Sequence, residues 1–419
     1  MSTLVLKYFL KLNPGREFRS DMTPTTSFMK LIVLQAMCLL YFAPQSTAQD
    51  AKNPSSGPYN YVLYRQNNSY FARKEDGGIA FRDSSFSTVF NSCVSALPSG
   101  GDIGLEGNTT FIADKSLNIP NRWISVQGGG NSTVIKAAAG LNAPVIYVSG
   151  DWSKGYITLE DFQIDGNKAN NTSTAEHGVE LYRVWNFSLR NLFIHDVHGD
   201  GIYTHADQGQ KGIVEGRLTD LTIYDAFRYG IHLGQFATDY EIENVILRTH
   251  HGLTAPTTYG IYCEGGGGAG THFSNIHPYE FSYGFWIDWG AVSISNYHSD
   301  GNGVGIMLNG SHRVQVVNSV FSQNPSGAIQ MKNAIQNIVN GVTIVATGNP
   351  GSDGIKIDGK SNQNIVTGST ISGYKGYGIN LTGPDVQNSL INGNIVSENA
   401  AGWLNDQGTG TIKQADITR

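Results

Sequence analysis

DGIYTH, from Asp200 to His205, is a glycine followed by an apolar residue and then by aromatic, hydroxyl and imidazole side chains. The pattern recurs as HGVELY at Gly178, YGIHLG at Gly230, YGIYCE at Gly260 and YGFWID at Gly284. It continues through VGIMLN, SGAIQM, DGIKID, YGINLT and AGWLND at Gly305, Gly327, Gly354, Gly378 and Gly402. Successive glycines lie 23, 29, 30, 24, 21, 22, 27, 24 and 24 residues apart. A unit of this size buries its apolar face only against a neighbour, so the spacing predicts a solenoid.

A second mark precedes most of the glycines: Asn191, Asp220, Glu243–Asn244, Asn275, Asn296, Asn318 and Asn340. Each unit therefore holds an Asx-marked turn, a short strand, a variable loop and a glycine-led strand. The Leu-rich framework of the other common solenoid of this period is missing, while β-branched strands and small Gly/Asn turns are plentiful. These features predict an all-β chain wound as a right-handed parallel β-helix. Stacked asparagines at one turn are read as structural, each side chain bonding the next coil. With 51 glycines, 13 prolines and little helical pattern after about residue 100, the whole length can enter one architecture.

Residues 1–48 read as a leader, because a basic start, the short apolar run Leu31 to Ala43 and the small residues Ser46 to Ala48 form an export signal. Residues 49–100 read as an N-terminal cap with a short helix in SSFSTVFNSCVSAL, and 101–419 as the β-helix domain. Without the leader the formal charge moves from -6 to -9, and no basic stripe is evident, which argues against nucleic-acid binding. No later segment is long and apolar enough to cross a membrane. The expected location is secreted or at the cell surface. Cys93 and Cys263 lie far apart in the repeat, so neither a disulfide nor a zinc site is expected.

The stretches LPSGGDIGLEGNTTFIADKSLNIP, ISVQGGGNSTVIKAA, LEDFQIDGNKANN and the GDGIYT coil resemble the pectate-lyase-like right-handed β-helix superfamily, in particular its secreted rhamnogalacturonase- and epimerase-like branch. The resemblance runs from about Tyr59 to the end of the chain. It implies a protein that cleaves a polysaccharide as a glycoside hydrolase or lyase. A C5-epimerase and a non-catalytic, adhesive surface protein are the alternatives. In the polygalacturonase-type hydrolases an aspartate directly before the strand glycine is catalytic, which points to Asp200. The other polygalacturonase coils are replaced here by Arg228-Tyr229 and Tyr259, which argues against that particular activity.

Side chains alternate along a strand, so if Ile202 points inward, the second and fourth residues after each glycine share one outer face. These are Glu180 and Tyr182, Tyr203 and His205, His232 and Gly234, Tyr262 and Glu264, Trp286 and Asp288. Aromatic rings suit the apolar faces of sugars, and carboxylates or imidazoles move protons. Asp200, Glu264 and Asp288 are the expected proton-transfer groups, with His205 and His232 assisting. Glu180, Tyr182, Tyr203, Arg228, Tyr262 and Trp286 are the expected substrate contacts. Glu264 and Asp288 should stack about 5 Å apart between Cα atoms. That separation raises the pKa of one or draws in a calcium ion, the cation the resemblance suggests. A lyase would need a base near C5 of a uronic acid and a cation on its carboxylate, roles open to Tyr203, His232 and Arg228.

Overall fold

The computed structural model describes residues 59–151, 155–207, 212–250, 253, 257–347 and 351–418. The expected leader, and the first ten residues of the expected cap, lie outside the described residues.

Twelve parallel strands, one per coil, form the sheet that carries the glycine-led repeats. They run in unbroken chain order from Leu117–Pro120 through Ile202–His205 to Gly402–Asp406. The other strands of each coil join a second continuous sheet that also takes in the N-terminal hairpin. The register is in step from coil to coil: Val179 opposes Ile202, Ile202 opposes Ile231, and Ile231 opposes Ile261. All four are fully buried, so the apolar residue after each glycine builds one continuous column of the core.

Most of the repeat glycines are fixed by space rather than by a special dihedral, Gly327 and Gly402, with φ 124° and 121°, being the exceptions. A methyl group on Gly201 would lie 2.5 Å from Ile223 Cγ2 and 2.6 Å from the carbonyl oxygen of Gly230. A backbone atom of the next coil cannot give way, so only glycine fits where coils close on each other.

Asn191, Asp220, Asn244, Asn275, Asn296 and Asn318 all adopt the left-handed conformation at one corner, with φ between 49° and 56°. Asn is the residue with a side chain that tolerates this region best. Their side chains also bond along the stack, as Asn244 Nδ2 to Asp220 Oδ1 at 3.0 Å and Asn275 Nδ2 to Asn244 Oδ1 at 2.8 Å. Asn340 does not continue this ladder. It pairs with Val317, and Gly341, with φ 64°, takes the left-handed position. Farther along, fully buried Asn337 and Asn364 form an inner ladder, each accepting from a main-chain N–H of the preceding coil, and Asn394 accepts likewise from the Ser369 N–H at another corner.

At the N-terminal end the strands Tyr61–Gln66, Ser69–Lys74 and Ile79–Asp83 pair antiparallel. They lead into helix α1, Phe86–Ser95, which Ser85 Oγ caps by accepting the amide of Thr88 at 3.1 Å. Helix α1 buries Phe86, Val89, Phe90, Cys93 and Val94 against the hairpin and the first coil. It thereby covers an end of the solenoid that would otherwise expose core. Cys93 and Cys263 are free and buried.

Candidate active site

Because the coils stack in register, three columns of side chains line the outer face of the glycine-led sheet. The residues two places after each glycine form one: Glu180, Tyr203, His232, Tyr262 and Trp286 oppose each other in succession. Those four places after form the second, with Tyr182 opposite His205 and, farther along, Glu264 beside Asp288. The residues just before each glycine form the third: His177, Asp200, Tyr229, Tyr259 and Tyr283, joined by main-chain bonds such as Gly201 N–H to Tyr229 O.

The columns converge on Asp200, whose side chain is fully buried. Its Oδ2 lies 3.2 Å from His232 Nδ1, and its Oδ1 lies 3.7 Å from Arg228 Nε. His232, 6% exposed, turns its other nitrogen toward Glu264 Oε2 at 3.5 Å. Burial alone would lower the His232 pKa, but the hydrogen bonds and charges of Asp200 and Glu264 outweigh it and the pKa rises. A carboxylate faces each ring nitrogen, an arrangement that favours the imidazolium form of His232.

His177 is held in the opposite state. Its Nδ1 accepts the main-chain N–H of Asp200 at 3.0 Å, so that nitrogen carries no proton, and burial lowers the pKa against the pull of Asp200. His205 places Nε2 2.8 Å from Glu180 Oε1. A carboxylate only accepts, so Nε2 bears a proton, and in the neutral form of the ring the lone pair lies on Nδ1. Tyr203 lies between the two imidazoles, its ring 4.3 Å from His205 at 5° and 4.5 Å from His232 at 20°. Burial, reinforced by the charges of Glu264 and Asp200, pushes its hydroxyl up to about 12, so it holds its proton.

Of the two stacked carboxyls, Glu264 is not the one whose pKa rises: it falls, chiefly through its hydrogen bond to His232 and despite burial. Asp288 Oδ1 accepts from Trp286 Nε1 and Asn309 Nδ2, each at 2.8 Å. Asp200 has no solvent-facing surface, and its carboxylate faces His177, Arg228 and His232.

The other expected residues lie on the outer face of this sheet. Glu180, Tyr203, His205, Tyr262, Glu264, Trp286 and Asp288 are all partly exposed, as is Arg228, which lies over the Tyr229 ring at 4.8 Å. Tyr182 bonds Asp207 at the N-terminal edge. The residues before the glycines do not read as one column from sequence, so His177, Tyr229, Tyr259 and Tyr283 are not among the expected site residues. The signal for the column is the letter ahead of each glycine: H, D, Y, Y, Y.

Calcium at Glu264 and Asp288 fits poorly. The ion takes six to eight oxygens, whereas this pair offers two carboxylates, one committed to His232 and Gln235 and the other to Trp286 and Asn309. Among the described residues, Asp165, His195 and Asp196 bring ligand atoms within 4.8 Å of one another on the other sheet, but Lys136 already pairs with Asp165 at 2.6 Å.

A family model described as "right handed beta helix region" matches residues 259–418. The fold is a right-handed parallel β-helix. Among solved structures, this β-helix is similar to the A-module of the Azotobacter vinelandii mannuronan C-5 epimerase AlgE6. That match has 14% identity and a TM-score of 0.68 over 80% of this chain and 95% of the other. The catalytic domain of a GH87 alpha-1,3-glucanase in complex with nigerose matches at 11% identity and 0.62, covering 79% and 67%. The periplasmic alginate epimerase AlgG matches at 12% and 0.57, covering 77% and 78%. At these identities the likeness is one of fold. No curated protein matches the sequence. Among the described residues no helix is long and apolar enough to cross a membrane.

Proposed function

We propose that this β-helix is an exported polysaccharide-modifying enzyme that removes the C5 proton of a uronic acid unit, leading to β-elimination or C5 epimerisation. The observation that carries the reading is the set of Tyr203 and His205 beside two cations, Arg228 and His232, whose shared counter-ion Asp200 is buried.

A C5–H bond next to a carboxylate becomes acidic only when that carboxylate is neutralised. Arg228 and the His232 imidazolium supply two positive groups where the uronate would sit. His205 Nδ1 takes the C5 proton, and Glu180 holds the ring and stabilises the imidazolium that forms. In elimination the C5–H electrons form the C4–C5 double bond, the C4–O bond breaks, and Tyr203 protonates the leaving oxygen. In epimerisation a proton from solvent returns to C5 on the opposite face, inverting that centre. Asp200 is a positioning residue that keeps His232 charged and Arg228 aimed. Two of the similar structures are named as mannuronan or alginate epimerases, which supports uronate chemistry.

Hydrolysis would need a protonated carboxyl beside the glycosidic oxygen. Glu264, drawn down in pKa by His232, and buried Asp200 are poorly suited to that role. The test is to incubate the protein with acidic and neutral polysaccharides and weigh the products. Fragments lighter by one water, or inverted uronates in an unshortened chain, are expected. Fragments carrying an added water would establish a hydrolase, and binding without any change a surface adhesin.

A further inference from the structure

The groove changes character along its length, and that change selects the sugar beside the reacting one. Arg228 and His232 mark where a uronate carboxylate sits. Toward the C-terminus the next coils offer rings: Tyr259 and Tyr283 stack at 5.3 Å and 12°, and the Trp286 ring meets Tyr283 edge-on at 4.8 Å. Tyr262 completes the surface, 5.3 Å from both Tyr229 and Tyr259. Such a wall receives the C–H face of a pyranose, or a deoxy or acylated group.

The charged groups flanking that wall are the carboxylates Glu264 and Asp288. Among the described residues, the next cations along the face are Lys332, two coils beyond Asp288, and Lys356, which pairs with Asp358 at 3.4 Å. A coil advances roughly 4.8 Å, close to the length of one sugar unit, so neighbouring sugars sit about one coil apart. A homopolyuronate would therefore set its next carboxylates beside Glu264, whose contact with His232 already uses that cation, and beside Asp288, which no Lys or Arg pairs among the described residues.

Resting on the proton-abstraction reading for the position of the first uronate, we infer that the unit on Tyr262 and Trp286 is uncharged. The substrate is then a heteroglycan in which neutral sugars separate the uronates. Tyr203→Phe, which leaves the groove in place, allows binding to be measured without turnover. The probes are hexasaccharides of equal length: all-galacturonate, all-mannuronate, and repeats alternating a uronate with a neutral hexose or deoxyhexose.

Calorimetry should show at least one alternating hexasaccharide binding about tenfold or more tightly than either homopolymer at low salt. The margin should narrow near 1 M salt, where the screening length falls to about 3 Å. Trp286→Ala should remove most of the margin, and Asp288→Asn should improve homopolymer binding selectively. Homopolymers binding as well as the alternating probes, a Trp286→Ala loss shared equally by all probes, or no binding of any probe would overturn the inference. The two readings can fail separately. Preferred binding of an alternating glycan whose C5 hydrogens the wild-type protein leaves in place would sink proton abstraction alone. Efficient elimination of a tightly bound homopolyuronate would sink the neutral neighbour alone.

Discussion

Replacing Asp200 with asparagine removes one negative charge from a fully buried position and leaves the side-chain shape almost unchanged. Asn Oδ1 can still accept from His232 Nδ1, now 3.2 Å from the carboxylate, so the packing should survive. What is lost is the charge assistance: a hydrogen bond to a charged group is worth about 1.5–3 kcal/mol against about 0.5–1.5 for a neutral one, a difference of about 1–1.5 kcal/mol. At about 1.36 kcal/mol per pKa unit this lowers the His232 pKa by about 1 unit. Burial already pulls that pKa down, and Glu264 alone then opposes it. The neutral fraction of His232 at pH 7 should rise, and kcat/KM at that pH should fall by up to about 10-fold. The alkaline limb of the pH–rate profile should move to lower pH by the same margin of about 1 unit. Nitrogen-15 NMR of the imidazole groups reads the His232 titration directly in both proteins. An unchanged or higher His232 pKa in the variant would refute the assignment of Asp200 as the group that keeps this proton bound.

Tyr203→Phe should lower kcat by about 100-fold or more, as for loss of a general acid, while changing KM only a few-fold; steady-state kinetics checks this. His205→Ala should be similarly slow but partly rescued by added imidazole, measured as a concentration-dependent return of rate. The His232–Glu264 pair sets a pH window for stability. The raised His232 pKa gives stability that is full below about 6.5, the unfolded value, and is lost as pH rises through the folded pKa. The lowered Glu264 pKa gives stability present above about 4.5 and lost as pH falls through its folded pKa. Both contributions are complete only between these limits, so Glu264→Gln should lower the thermal midpoint most near pH 5–6. Gly201→Ala places a methyl group 2.6 Å from the carbonyl oxygen of Gly230. It should destabilise by about 1–3 kcal/mol in denaturant titration.

The fold was legible because two constraints of a parallel solenoid act on single letters. The close approach behind Gly201 admits no Cβ, and the left-handed corner at Asn191 and Asn244 admits few residues other than Asn, Asp and Gly. The second rule also explains the slip at Asn340: the next residue, Gly341, satisfies the same corner more easily, and only the pairing of Asn340 with Val317 shows it. Alternation placed Tyr203, His205, His232 and Glu264 on one face, since period two is a property of any strand. It did not extend to the residue before each glycine, where the chain turns into the strand, so His177 and the tyrosine column escaped notice. Protonation was the least legible. Proximity of Glu264 to Asp288 suggested a raised carboxyl pKa, but the diagonal contact with His232 reverses its sign, and that contact depends on side-chain direction as well as register.

Elimination and epimerisation both require that a C5 proton leave the substrate. A uronate polymer carrying deuterium at C5 is incubated with the protein in ordinary water and analysed by mass spectrometry and NMR. Loss of one deuteron to solvent is expected for each unit eliminated or inverted. Products that are shortened yet retain all of their C5 deuterium would refute proton abstraction.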